Sequence, residues 1–118
     1  MASFSSRGFA PAFFLLIALT QSQAVADDAG SMPQPSRQRE LVRLVRHDCG
    51  SCHGMTLQGG LGPALTTSAL AGRPIDYLEA TILRGRPGTA MPGWQGLVDA
   101  DDARWIAQQL KNGFPNER

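Results

Sequence analysis

The feature that most constrains this 118-residue chain is the run Cys49-Gly50-Ser51-Cys52-His53. Cys49 and Cys52 are the only cysteines, so a framework of several disulfides is excluded. Two residues three apart lie about one helical turn apart on the same side of a helix, and His53 follows directly. A domain this short buries little core and usually needs a disulfide, a metal or a cofactor to stabilise it. We therefore expect two thiols and one imidazole to be presented together and to hold that group.

Haem attachment is the interpretation that this run favours. Thioether bonds from the thiols to the two haem vinyl groups would fix the porphyrin edge while the imidazole reaches the iron. A thioredoxin-type redox pair normally starts a helix in a fold with strands, whereas this pair ends a predicted helix in a chain without a strand pattern. A structural zinc site needs four ligands, and beyond these three the chain offers only His47 and acidic residues. We predict one haem c, covalently attached through Cys49 and Cys52, with His53 on the iron.

The first 26 residues have the pattern of a secretory signal peptide. Arg7 precedes an apolar run of about 11 residues, and Ala24-Val25-Ala26 forms a small-x-small cleavage site. The alternative is an uncleaved anchor, but spanning a membrane needs roughly 17 to 25 residues. We predict cleavage near Ala26, a periplasmic location and no stable membrane insertion. Without Arg7, ten basic residues balance ten acidic ones, so no nucleic-acid partner is expected.

The remaining chain divides into a flexible leader at 27–36, a helical domain at 37–113 and a short tail at 114–118. The leader is rich in Asp, Gly, Ser, Pro and Gln, which bury too little apolar surface to order a segment. Long connections at 54–72 and 86–98 are dense in glycine and proline and are expected to wrap something.

Apolar periodicity predicts three main helices and an all-α fold. The first carries Leu41, Leu44 and Val45 on one face and runs into the cysteine pair. The second spans about 74–84 and stops at a glycine, and the third has Asp99 as its N-cap and ends near Lys111. The arginines of the first helix form a separate stripe that either is simply solvated or steers an acidic partner: Arg39, Arg43 and Arg46.

Three motifs resemble the class I cytochrome c family, and the resemblance covers essentially the whole chain after the signal peptide. They are the Cys49–His53 run, Gly62-Pro63 and Met91-Pro92. The resemblance implies three to four short helices around one haem, with histidine and methionine as axial iron ligands. The segments 72–78, 83–88 and 90–94 are more similar to small monohaem cytochromes c found alongside cytochrome cd-type nitrite reductase in denitrifying bacteria. This implies redox-protein partners: the haem d-containing nitrite reductase and an upstream electron donor.

Met91 is the expected second iron ligand. Two of the four methionines precede the domain, and Met55 lies too close to His53 to reach the opposite haem face. Pro92 stiffens the backbone and biases Met91 toward an extended conformation, which suits a loop that delivers one side chain. His47 is expected to be a surface or helix-end histidine and not a ligand.

Other residues around the cofactor follow from the same resemblance. The carbonyl of Pro63 would accept the ring N–H of His53 and fix its tautomer. Four side chains are expected against the porphyrin, where they exclude water from the iron: Leu65, Leu78, Ile82 and Trp94. Polar candidates for the haem propionates or for the rim that docks a partner are Arg73, Tyr77, Arg84 and Arg86.

With both axial positions filled, the iron has no site for a substrate, so we predict a monomeric single-electron carrier and not an enzyme. Its expected role is electron donation to the nitrite reductase in denitrification. The alternatives are an accessory role in haem d maturation and, in another class, a haem sensor or small peroxidase with a labile Met91.

Overall fold

The computed structural model describes residues 30–116. The predicted signal peptide lies outside the described residues, as do the first three leader residues and the last two of the tail. Between residues 30 and 116, no helix is long and apolar enough to cross a membrane. The same part of the chain contains helices and loops without a strand, which confirms the predicted all-α fold.

The first predicted helix is confirmed and leads directly into the cysteine run. Helix α1 covers Pro35–Leu44, a π-helical turn covers Val45–Cys49, and α2 covers Gly50–His53. The helix starts two residues before the predicted domain boundary, because a proline at the first helical position needs no hydrogen-bond partner for its nitrogen. The chain then leaves the helix at Gly54, whose φ of 88° is open to glycine.

The second and third predicted helices are confirmed as α4, Ile75–Arg84, and α5, Ala100–Asn112. Asp99 caps α5 by accepting the N–H of Asp102 at 2.8 Å, and Asp102 returns the contact to the Asp99 N–H at 3.4 Å. One short helix was not predicted: α3, Thr67–Leu70, lies inside the connection at 54–72. Its single turn is too short to show a period, although Thr66 caps it through the N–H of Ala69.

The apolar core joins the helices around one side of the molecule. Leu41 and Val45 are fully buried and belong to one cluster with Ala103, Ala107 and the apolar side chains of α5. The indole of Trp105 meets Phe114 edge to face, with ring centroids 6.4 Å apart. The segment after α5 is thereby packed onto the core.

Arg46 does not belong to a solvated arginine stripe. Its guanidinium donates to the carbonyls of Phe114 and Pro115 at 2.9 Å and lies 5.5 Å from the Phe114 ring centroid. Arg39 and Arg43 are exposed as expected. Arg46 therefore ties the end of the first helical segment to the chain that follows α5.

Candidate haem site

The helices and connections enclose an apolar cavity of about 440 Å³. Its wall contains both cysteines, both predicted iron ligands and all five further residues predicted to surround the cofactor: Cys49, Cys52, His53, Met91, Pro63, Leu65, Leu78, Ile82 and Trp94. His47 is exposed and does not line the cavity. The structure thus brings together residues that are up to 45 positions apart in the sequence.

His53 is buried and held in one orientation. Its Nδ1 lies 2.7 Å from the Pro63 carbonyl oxygen, and because a carbonyl can only accept, Nδ1 carries the proton and donates. Nε2 is therefore the ring nitrogen left to bind a metal such as iron. Gly62 lies close to the ring, and an added Cβ would stand 2.8 Å from Nδ1 and Cε1. Only glycine leaves room for this ring position.

The connection after His53 folds back onto the helix end through backbone bonds. The N–H groups of Gly59 and Gly62 donate to the carbonyls of His53 and Cys52, each at 2.8 Å. Leu57 is buried at a φ of 61°, a conformation that disfavours a side chain, and its carbonyl accepts the N–H of Leu65 at 2.9 Å. Strain of this kind persists where the surroundings fix the backbone, and here it occurs four residues after the predicted iron ligand.

A second loop, residues 85–94, carries Met91 to the cavity. The Met91 carbonyl accepts the N–H of Arg86 at 3.2 Å, and the N–H of Met91 donates to the Thr89 hydroxyl at 3.3 Å. That hydroxyl donates to the Arg86 carbonyl at 2.7 Å. At Gly85, with a φ of 69°, a Cβ would stand 2.6 Å from the Met91 carbonyl oxygen, so the end of α4 and this loop are in close backbone contact. Hydrogen bonds within the loop thus hold the backbone of the partly buried Met91 in place.

The two thiols differ in their surroundings. Cys49 is half-buried and Cys52 exposed, and no disulfide joins them. Burial, together with the nearby negative charge of Asp48, raises the pKa of the Cys49 thiol to about 11.

Three of the four polar candidates line the cavity. Arg73, Tyr77 and Arg86 belong to its wall, whereas the exposed Arg84 does not. The Arg73 guanidinium lies 5.4 Å from the Tyr77 ring centroid.

Sequence reasoning missed part of the wall, above all side chains from α5, the first helical segment and α3. The missed apolar residues are Leu44, Val45, Leu61, Ala64, Ala69, Leu70, Ala90, Val98, Ile106 and Leu110. Ile106 and Leu110 are four residues apart, which is typical of a buried helix face, but this spacing does not indicate what the face contacts.

These residues fit a covalently attached haem. Two thiols and an imidazole with an available Nε2 lie at one wall, a thioether reaches the same cavity, and the remaining lining is largely apolar. When bound, such a haem supplies a ferrous–ferric couple. Cys49 and Cys52 would carry its thioether bonds, and His53 and Met91 would hold its iron.

Known proteins are similar to most of this chain. A family model described as cytochrome C oxidase, cbb3-type, subunit III matches residues 36–109. Cytochrome c55X of Stutzerimonas stutzeri is 49% identical over 111 residues, covering 94% of this chain and 91% of that protein. The solved structure of the c-type cytochrome NirC is 56% identical with a TM-score of 0.68, covering 69% of this chain and 95% of that one. Dihydro-heme d1 dehydrogenase of Pseudomonas aeruginosa is 35% identical over 74 residues, covering 63% of this chain and 15% of that protein.

Proposed function

Because the chain belongs to the c-type cytochrome family, with a domain like subunit III of cbb3-type oxidases and one covalently bound haem c, we propose that it is a periplasmic single-electron carrier. The observation that carries this proposal is the presence of His53 and Met91 at one cavity. The Nδ1 of His53 is bound to the Pro63 carbonyl, which leaves Nε2 as the ring nitrogen for iron, and Met91 reaches the same space from a separate loop. Two such ligands fill both axial positions and leave no site for a substrate, which supports electron transfer and not catalysis.

Met91 also suits the proposed task chemically. A thioether is a soft ligand that favours ferrous iron and raises the reduction potential. The apolar wall acts in the same direction, because burial disfavours the additional charge of ferric iron.

The proposed acceptor is the haem d-containing nitrite reductase of denitrification, with another redox protein as the upstream donor. The support is the similarity of the loops at 72–78, 83–88 and 90–94 to cytochromes found alongside that enzyme. The relatives named cytochrome c55X and NirC add to it. The interface between such a carrier and its redox partner is expected to be small in area, and the complex is expected to be short-lived.

A second candidate function is electron transfer during haem d maturation. It is favoured by the similarity to part of a protein whose name describes dehydrogenation of dihydro-haem d1. A deletion strain separates the two functions. A reductase without its haem d absorption supports maturation, whereas a fully loaded reductase with slow electron supply supports donation.

The carrier proposal is tested on purified protein by absorption spectroscopy. The haem should resist acid-acetone extraction, and the oxidised form should show the weak red methionine-to-iron band. Met91→Ala should abolish that band, and Met55→Ala, which alters an exposed methionine outside the cavity, should retain it. Prompt stoichiometric binding of carbon monoxide to the reduced wild-type protein at neutral pH would instead indicate a sensor or peroxidase.

A further inference from the structure

Two arginines of the cavity wall lack an acidic partner. Within residues 30–116, carboxylates pair with Arg37 and Arg104, but neither Arg73 nor Arg86 forms an ion pair. Most of the cavity wall is apolar. The chain therefore places two positive charges, without counter-ions of its own, at the site of an anionic cofactor.

Haem c brings the negative charge that this wall lacks. Its two carboxylates lie on the porphyrin edge remote from the vinyl groups, so attachment to Cys49 and Cys52 directs them away from the cysteine run. The acidic residue of the wall, Asp48, is next to Cys49 in the chain. The carboxylates thus point away from the segment that carries this negative charge, and a planar guanidinium can bind one of them through two parallel hydrogen bonds.

The two arginines are held differently. Arg73 rests over the Tyr77 ring, and its carbonyl accepts from the Lys111 ammonium at 2.6 Å, which ties it to α5. Arg86 belongs to the loop that carries Met91, with its N–H 3.2 Å from the Met91 carbonyl oxygen and its own carbonyl bound by the Thr89 N–H and hydroxyl. A group that fixes the Arg86 side chain therefore also restrains the backbone of Met91.

We propose that Arg86 binds a haem carboxylate and thereby fastens the Met91 loop over the cavity. The pair has two consequences. The guanidinium charge opposes the gain of positive charge when iron is oxidised, which raises the reduction potential. The contact between Arg86 and the haem carboxylate also attaches the loop to the cofactor, which makes dissociation of Met91 from iron less favourable.

The test compares Arg86→Gln with Arg84→Gln in the haem-loaded protein. Arg84 is a matched control because it is an exposed arginine two residues away that does not line the cavity. We expect Arg86→Gln to lower the reduction potential and to lose the methionine-to-iron band at a lower urea concentration than wild type, while Arg84→Gln changes neither. Arg86→Lys should restore most of the potential but less of the urea resistance, because an ammonium supplies the charge without the two-bond geometry.

Three results would overturn the proposal. Equal behaviour of the two glutamine variants would show that Arg86 has no special contact with the haem. The same shifts in Arg73→Gln and not in Arg86→Gln would assign the carboxylate to Arg73. Slower electron exchange with a partner protein, at unchanged potential and unchanged band, would place Arg86 in docking. If Arg86→Gln fails to mature with haem, Arg86→Lys is compared with Arg84→Lys instead. A lower urea resistance of Arg86→Lys supports the proposal, and equal urea resistance of the two variants overturns it.

Discussion

The imidazole of His53 is positioned by backbone atoms on two sides. The Pro63 carbonyl accepts the proton on Nδ1, and Gly62 leaves room for the ring because it has no side chain. Proline fixes the direction of that carbonyl because its φ is locked. The pair Gly62-Pro63 therefore acts through geometry, and it would influence an iron bound to His53 through the orientation of this one ring.

Gly62→Ala should displace the His53 ring, because the new Cβ would stand 2.8 Å from two ring atoms. We expect the free energy of unfolding of the haem protein to fall by about 1–3 kcal/mol, the usual cost of overpacking. Denaturant titration followed at the haem absorption measures this, and the methionine-to-iron band should weaken in parallel.

Gly72→Ala is the matched control for that substitution. Nothing lies within 4 Å of a Cβ at Gly72, so the free energy of unfolding should change by less than about 0.5 kcal/mol. Similar losses in the two variants would show that the contact between Gly62 and the ring has no particular importance.

At the scale of elements, the helices with strong end signals were predictable and the local irregularities were not. Asp99 and Gly85 mark a start and a stop by chemistry that acts within a few residues, and both positions are confirmed. The π-helical turn Val45–Cys49 departs from the 3.6-residue period on which helix prediction rests. The position of Met91 in the cavity was predictable only in part. The sequence shows that Pro92 follows Met91, whereas the close contact between the Met91 carbonyl and Gly85 depends on tertiary packing.

An ion pair joins α1 to α5. The Arg37 guanidinium donates to Asp102 Oδ2 at 2.6 and 3.0 Å and to the Leu97 carbonyl at 2.8 Å. The Asp102 side chain is only 6% exposed, and its hydrogen bonds raise the pKa of Arg37 further above its ordinary value, so the cation persists at every pH at which the fold survives. The exposed pair of Arg104 with Asp76, whose side chain is 84% exposed, contributes far less.

Arg37→Gln should leave the Asp102 carboxylate buried without a counter-ion. Loss of hydrogen bonds to a charged group predicts a decrease of about 1–3 kcal/mol in the free energy of unfolding, below the cost for a fully buried pair because Arg37 is 35% exposed. Denaturant unfolding gives the value. Arg39→Gln, an exposed position on the same helix, is the control and should remain within about 0.5 kcal/mol of wild type. If Arg39→Gln lost as much stability, the loss would reflect the removal of a positive charge from α1 and not the loss of the Arg37–Asp102 ion pair.

At the scale of the whole molecule, the haem supplies the missing centre of the core. The apolar side chains that line the space of about 440 Å³ lack packing partners on one side when that space is unfilled. Folded domains are stable by only about 5–15 kcal/mol in total. The polypeptide and its cofactor are therefore expected to fold as one unit.

The double variant Cys49→Ser with Cys52→Ser tests that coupling by preventing thioether attachment. We expect the haem-free chain to lose most of its far-ultraviolet helical signal and to elute at a larger apparent size, because the walls of the cavity have nothing to pack against. Ser51→Ala is the control within the same run: it removes one hydroxyl and leaves both thiols, so haem content and helical signal should be unchanged. Adding free haem to the double variant should restore part of the helical signal, since His53 and Met91 remain. A haem-free chain that unfolds cooperatively with native helix content would show that the polypeptide forms its core unaided.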